Sequence, residues 1–408
     1  SQACAMVDAA LKNSVIVKML ASGTLWIAEI AKLPAQTASK SWNSTSLADI
    51  ASYAPHTLTM GFEFSNSIKF LALTIFLVKK YQVIKNIPPT VLYMFTLKQP
   101  STIIFGKYSA RDYKFPKDSL VITSHGAKSR NWLEYIGLTN SYIYDSVEAN
   151  PSIETTEEII SEFSNSNFSN IIGIGGGSVM DVAKFVGFKI KKSKIMIPTT
   201  FGSGSEVTRI AVLKKNGKKQ SFHDDNIFAD TAIVDSYFIQ ATPENIIKNS
   251  AVDACAQCTE AFDSKTSNIY TKFLCETAFD ILENAILNGK YNELPYGSLC
   301  AGLGFGNTST TLGHALSYVF SNEGISHGHA LAYTTTLAHR FNHSIFYERF
   351  LKIIKKLNFP PIKLKQDLND AAELILLDRK HLDSNPHHVT KNDLIDLLKS
   401  INDSKVLK

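Results

Sequence analysis

The pattern of apolar and polar positions changes twice along the chain. From residue 103, short apolar runs alternate with segments of helical period: 120–123, 141–144, 170–174, 194–197 and 231–234 read as strands, with helical spacing between the earlier ones. Alternation of this kind predicts a parallel sheet with helices packed on it. After Thr242 the strand signals stop, and Pro243-Glu244 opens a series of helical stretches that continues to the C-terminus. The expected fold is an α/β domain over 98–241 followed by an all-α domain over 242–408, and the cleft between them is the natural place for a ligand. Residues 1–97 differ from both. The first 95 hold no arginine, four acidic residues (Asp8, Glu29, Asp49, Glu63) and two of the three tryptophans. Apolar stretches at 15–31 and 68–83 look helical, but the segment carries no motif and is left unassigned.

Composition narrows the choice of partner. With 408 residues, 44% of them apolar and 19% charged, the chain has ordinary globular usage. A net charge of +5 over that length is too thin for the clustered basic face that grips nucleic acid. The longest apolar run, 70–78, is roughly half of the ~20 residues a membrane span needs. Neither partner is expected. Cys4, Cys255, Cys258, Cys275 and Cys300 are too few for a disulfide framework in so long a chain, so reduced thiols and a cytoplasmic setting are expected. No basic segment followed by an apolar one opens the chain, so no signal peptide is read there.

Two loops follow predicted strands. Gly175-Gly176-Gly177-Ser178 separates a strand from a segment of helical period at 179–188. Glycines allow close approach of the backbone to a ligand and positive φ, and the start of the helix favours a phosphate. The same turn also serves as a plain strand-to-helix connection, and it matches neither the Rossmann fingerprint nor the P-loop. The second loop, Pro198-Thr199-Thr200-Phe201-Gly202-Ser203-Gly204-Ser205-Glu206, offers hydroxyls and bare backbone to phosphate or carboxamide oxygens. Two such loops at the ends of strands in one sheet point to one shared ligand.

The helical half contains a candidate metal set. Asp253 and Gln257 are four apart on one helix face, and His314 and His327 lie farther on. Two imidazoles, a carboxylate and an amide oxygen would leave a divalent ion net positive and able to polarise a carbonyl. Each histidine alone also reads as a satisfied polar residue. Cys255 and Cys258 form a Cys-x-x-Cys pair without the second pair a structural zinc site needs, and they read as buried thiols.

From Pro100 to the C-terminus the chain resembles the iron-containing alcohol dehydrogenase family. The elements occur in the family's order: Ile104-Phe105-Gly106, Asn150-Pro151, Gly175 to Ser178 with Asp181, Pro198-Thr199-Thr200 with Gly204-Ser205-Glu206, Ala232 to Asp235, Asp253-Ala254, His314-Ala315, His327-Gly328, and Asn385-Pro386 with Thr390. The resemblance implies a dehydroquinate synthase-like fold, with a dinucleotide-binding α/β domain and a helical metal-binding domain. It implies reduction of a small aldehyde by NADH or NADPH with Fe2+ or Zn2+ held by Asp253, Gln257, His314 and His327. A homodimer is the associated expectation. The cofactor positions are Ser124, Asn150, Gly175, Gly176, Gly177, Ser178, Asp181, Thr199, Thr200 and Ser203. Ser124 stands where many members have an aspartate on the adenosine ribose, and Lys128 and Arg130 nearby make NADPH admissible. Gln257 replaces a histidine ligand and Tyr318 replaces a histidine near the substrate, which leaves proton relay to Tyr318, His329 or water. These departures resemble the phosphonoacetaldehyde reductase branch, whose product is 2-hydroxyethylphosphonate; Arg209 is a candidate cation for an anionic substrate and reads equally as an exposed strand-end arginine. Alternatives are another semialdehyde or alcohol dehydrogenase of the family, a glycerol dehydrogenase or lyase of the same superfamily, and an inactive binding homologue.

Overall fold

The computed structural model describes residues 17–21, 24–28 and 95–406. The chain divides into two compact units, Ser1–Phe95 and Thr96–Lys408. In the first, β1 (Val17–Ala21) and β2 (Thr24–Ala28) pair antiparallel with Val17 opposite Ala28. The helical reading of 15–31 is therefore corrected. Its Val, Ile, Thr and Trp content favours strands. The apolar stretch at 68–83 lies outside the described residues.

The second unit contains β3 (Thr102–Phe105), β4 (Ser119–Ile122), β5 (Tyr142–Tyr144), β6 (Asn170–Gly175), β7 (Ser193–Pro198), β8 (Ile210–Lys215), β9 (Lys218–His223) and β10 (Thr231–Val234). Six of them form one sheet in the order β3-β10-β7-β6-β4-β5, and every neighbouring pair is parallel. The central strands are covered on both faces, which is why they read as continuous apolar runs rather than alternating ones. β8 and β9 make a separate antiparallel hairpin. Its turn residues Asn216 and Gly217 both have positive φ, 52° and 75°, as an Asn-Gly type I′ turn requires.

Two longer helices accompany the sheet, α1 (Ile153–Glu162) and α2 (Gly177–Ile190). Nine follow: α3 (Glu244–Asp263), α4 (Ile269–Leu287), α5 (Leu294–Phe305), α6 (Leu312–Asn322), α7 (His327–Phe341), α8 (Tyr347–Leu357), α9 (Leu368–Leu376), α10 (Arg379–Ser384) and α11 (Lys391–Asn402). One apolar core runs from a face of the sheet (Val121, Ile172, Ile197, Ile233) through Phe238 into Val252, Leu316 and Leu331 of the helical half. A second lies on the other face, where Leu120, Ile122 and Ile171 meet Val179 and Val186 of α2. The shared core fixes α3, α6 and α7 relative to the ends of β6 and β7. Among the described residues no helix is long and apolar enough to cross a membrane.

Candidate active site

β6 ends at Gly175, Gly176 caps α2, and the helix begins at Gly177. None of these glycines has positive φ, so the expected conformational reason for them is replaced by a spatial one. A Cβ on Gly177 would stand 2.8 Å from Ser203 Oγ, because the second loop folds directly over the turn. Thr199 N–H donates to Gly175 O at 2.9 Å and begins that closure. Behind it, Asp181 accepts from Ser205 Oγ at 2.5 Å and from Val212 N at 3.0 Å. The fully buried Lys184 donates to Ser205 O at 2.8 Å, to Thr208 O at 3.2 Å and to Ile210 O. Asp181 thus ties the loop and the β8–β9 hairpin to α2. No side chain caps the first N–H groups of α2, and the Cβ-free cradle in front of them fits a phosphate group.

The metal candidates converge. One ligand atom from each of Asp253, His314 and His327 lies within 4.8 Å of the others. Both imidazole Nε2 atoms are 3.7 Å from Asp253 Oδ1. Bond lengths of about 2.1 Å in a tetrahedral arrangement put ligand atoms about 3.4 Å apart, so modest closing around an ion suffices. Gln257 Nε2 donates to Asp253 Oδ1 at 3.0 Å, while its buried Oε1 has no hydrogen-bond partner. Half a turn of the amide would present that oxygen to an ion held by Asp253. The donor set and the orphaned oxygen therefore fit a divalent cation.

Glu260 supports this group from behind. It accepts from Thr311 N at 2.6 Å and from Thr335 Oγ1 at 3.0 Å, and its Oε1 is 3.2 Å from His314 Nδ1. Burial alone would raise its pKa, but His314 and the Thr311 N–H outweigh it and hold the carboxyl at about 2. Burial lowers the His314 pKa, and the Glu260 and Asp253 carboxylates overcome this and raise it to about 9. His327 is pushed down to about 4, first by burial and also by His314 and Lys219, against the pull of Asp253. A Cβ on Gly328 would stand 2.0 Å from Asn249 O, and one on Gly313 would stand 2.2 Å from Glu260 Oε1. A glycine beside each histidine thus lets α6 and α7 come close enough to α3. Asn385 fixes the start of α6 by accepting from Leu312 N at 3.4 Å and exchanging hydrogen bonds with Asn342.

One cavity of about 340 Å³ joins the two regions. Asn150, Gly177, Ser178, Asp181, Thr200 and Ser203 line it together with Asp253, Gln257, His314, Tyr318 and His327. Gly175, Gly176 and Thr199 are not among the lining residues. Asn150 has φ 54° and donates its N–H to Ser178 Oγ at 3.4 Å. Ser124 caps a short helical turn after β4, where Lys128 pairs with Asp145 at 2.5 Å and Arg130 donates to Gly126 O at 2.5 Å. Tyr318 stacks on His327 at 6.1 Å, and burial pushes its phenol pKa well up. His329 is not brought into the cavity: its Nε2 is 2.6 Å from Pro360 O and its ring lies on Phe359. Arg209 is likewise outside the lining and pairs with Asp225 at 3.0 Å. Cys255 and Cys258 are buried thiols, with Cys258 donating to Cys255 O at 3.3 Å.

Glu260, His381 and Lys380 are among the residues of the site that were not foreseen. Glu260 is seven residues after Asp253 on α3, so its helix face was a legible signal. His381 lines the cavity with its Nδ1–H on Asp378 (2.8 and 2.7 Å) and its ring 5.7 Å from Tyr318. Lys380 lines it as well. No spacing along the chain ties these last two to the other residues.

The family models agree with this architecture. The model described as iron-containing alcohol dehydrogenase matches residues 100–236, and the C-terminal model of the Fe-containing alcohol dehydrogenase family matches 247–377. The chain belongs to the iron-containing alcohol dehydrogenase family. It is 32% identical over 209 residues to a 4-hydroxybutyrate dehydrogenase of Clostridium kluyveri, covering 44% of this chain and 56% of that protein. It is 29% identical over 237 residues to a sulfoacetaldehyde reductase of Bilophila wadsworthia, covering 51% of this chain and 61% of that protein. The chain thus spans less than two thirds of each of these relatives. Its fold is that of an iron-containing alcohol dehydrogenase from Thermotoga maritima (TM-score 0.69, 23% identity, 76% of this chain and 100% of that one). It is equally that of a sulfoacetaldehyde reductase from Bifidobacterium kashiwanohense in complex with NAD+ (TM-score 0.69, 22% identity, 76% of this chain and 99% of that one).

Proposed function

We propose that this chain reduces a small aldehyde to an alcohol, using NADH or NADPH and an Fe2+ or Zn2+ ion held by Asp253, Gln257, His314 and His327. The observation that carries this reading is that three ligand atoms lie within 4.8 Å of one another in the same cavity as the glycine turn. A bound ion would supply Lewis-acid polarisation of the carbonyl oxygen. The nicotinamide would supply the hydride: aldehyde, NAD(P)H and one proton give alcohol and NAD(P)+.

The chain's own residues then have distinct tasks. The start of α2 and the Ser178, Thr200 and Ser203 hydroxyls orient the cofactor. Glu260 keeps His314 aimed with Nε2 towards the cavity. Tyr318 retains its proton at neutral pH and stands beside His327, so its hydroxyl is the donor to the developing alkoxide. His329, engaged by Pro360, has a lesser claim to that role.

The substrate favoured within this class has an anion at its far end. The two curated relatives described above are named for 4-hydroxybutyrate and sulfoacetaldehyde, and both compounds have one. Phosphonoacetaldehyde, giving 2-hydroxyethylphosphonate, is the proposed substrate, and succinic semialdehyde is the alternative. The test is a panel of aldehydes with NADH and NADPH after loading with Fe2+ or Zn2+. Turnover should need metal, and Asp253→Ala should abolish both turnover and metal binding while cofactor affinity persists. Undiminished turnover by Asp253→Ala would overturn the proposal.

A further inference from the structure

Three lysines line the cavity, Lys214, Lys219 and Lys380, and they differ in their surroundings. Lys214 belongs to the cofactor end, where its backbone N–H donates to Pro151 O at 2.8 Å beside Asn150. Lys219 stands close enough to Asp253 and His327 for its charge to act on both. Lys380 comes from α10 in the helical half. Its neighbour His381 stacks on His314 at 6.2 Å with the rings 13° from parallel, so Lys380 is one residue away from the shell of the metal centre.

No carboxylate is in direct ion-pair contact with Lys380 among the described residues; burial and then Arg209 lower its pKa, against the more distant charge of Asp378. The hydrogen-bond partner of Lys380 is His223 Nε2 at 3.0 Å. Desolvation, then the charges of Lys380 and Arg209, push His223 down to about 4, so its imidazole is neutral and accepts this hydrogen bond. The nearby carboxylates are engaged elsewhere. Asp378 faces His381 Nδ1, and Asp225 takes Lys98 and Arg209. An ammonium has three donors, so two remain on Lys380 after His223 is satisfied. The cofactor's phosphates already have the free N–H groups of α2 and the hydroxyls of the two loops in the sheet half.

We infer that Lys380, braced by His223, binds the anionic far end of the substrate and selects aldehydes bearing a phosphonate, sulfonate or carboxylate over neutral ones of similar length. Arg209, the candidate cation from the sequence, contributes its field from outside the cavity while paired with Asp225. The inference rests on the aldehyde reductase reading of the cavity and adds the residue that sets its substrate class.

Steady-state kinetics of the metal-loaded protein test it, with phosphonoacetaldehyde, sulfoacetaldehyde and succinic semialdehyde set against butanal. Lys380→Gln should lower the ratio of kcat/KM for an anionic aldehyde over that for butanal by about 10- to 100-fold, through KM. Lys380→Arg should restore most of it. The KM of the wild-type protein for the best anionic substrate should rise with ionic strength, and that dependence should weaken in Lys380→Gln. The three anionic arms show which head group is preferred. An equal loss on butanal and on anionic aldehydes, or a change confined to the KM for NADPH, would overturn the assignment to Lys380 and leave the reductase reading standing. A wild-type protein inactive on every aldehyde with either cofactor would overturn both.

Discussion

Glu260 shows how a residue behind the cavity shapes a candidate metal site. Its carboxylate lies 3.2 Å from His314 Nδ1 and is fixed by Thr311 and Thr335, so it sets the ring's orientation and raises its basicity. That basicity serves proton and metal alike, and below pH about 9 the two compete for His314. Above that pH, where the proton no longer competes, Glu260→Gln should weaken metal affinity by about 10- to 100-fold in chelator-buffered zinc titrations. At neutral pH the difference should narrow, because the same substitution relieves the proton competition. An affinity equal to wild type at the higher pH would remove Glu260 from the metal's support. The candidate metal ligands were legible in the sequence, because Asp253 and Gln257 share a helix face and His314 and His327 fall on ligand positions of the family the chain resembles. His381 and Lys380 were not, since only the packing of α10 on α6 carries them to the site.

The second loop is held by a buried charge cluster as well as by the burial of Phe201 and Val207 in the main core. Lys184 is fully buried, donates to three carbonyls between Ser205 and Ile210, and lies 3.5 Å from Asp181 Oδ1 with Glu206 nearby. Removing one partner of such a group leaves uncompensated charge in a low dielectric. Lys184→Met should therefore cost about 3–5 kcal/mol of stability by denaturant unfolding. It should also weaken cofactor binding, since the loop would lose its hold beneath Ser203 and Thr200. Adding Glu206→Gln to that variant should recover part of the loss, and a double variant no better than the single one would refute the coupling. The sequence showed the loop as hydroxyls and glycines but gave no sign of this cluster, because a lysine in a helical pattern ordinarily reads as solvent-facing. The β8–β9 hairpin was missed for the opposite reason. Its Asn216-Gly217 turn was a strong signal, but the lysines around it hid the alternation.

The division into a sheet half and a helical half was plain in the order of apolar patterns, yet a single core crosses it from Val121 to Leu331. Sequence periodicity marks where each element turns its apolar side but not which elements share it, so the continuity of that core was invisible. Its consequence is that buried carboxyls on either side of the cleft act on the stability of the whole. Burial raises the Glu206 pKa from 4.5 to about 7, against its own backbone N–H and Lys184. Asp263 rises from 3.8 to about 6, again through burial, with its Oδ2 left without a hydrogen-bond partner. A carboxyl whose folded pKa is raised favours the folded state fully below its unfolded pKa, and that contribution is lost as pH rises through the folded value. The contribution of these two carboxyls should therefore fall between pH about 4 and about 7, by up to about 3 kcal/mol for each group, while His223, His327 and His339, held at about 4 chiefly by burial, act in the opposite sense across the same window. Glu260, held at about 2, acts in the opposite sense, and its contribution is lost only as pH falls towards that value. Glu206→Gln combined with Asp263→Asn should remove their contribution, so that the stability of the double variant relative to the wild type rises from pH 4 to pH 8 in urea unfolding. A double variant with the same slope as the wild type would show that these two carboxyls are ionised in the fold without the desolvation their burial implies.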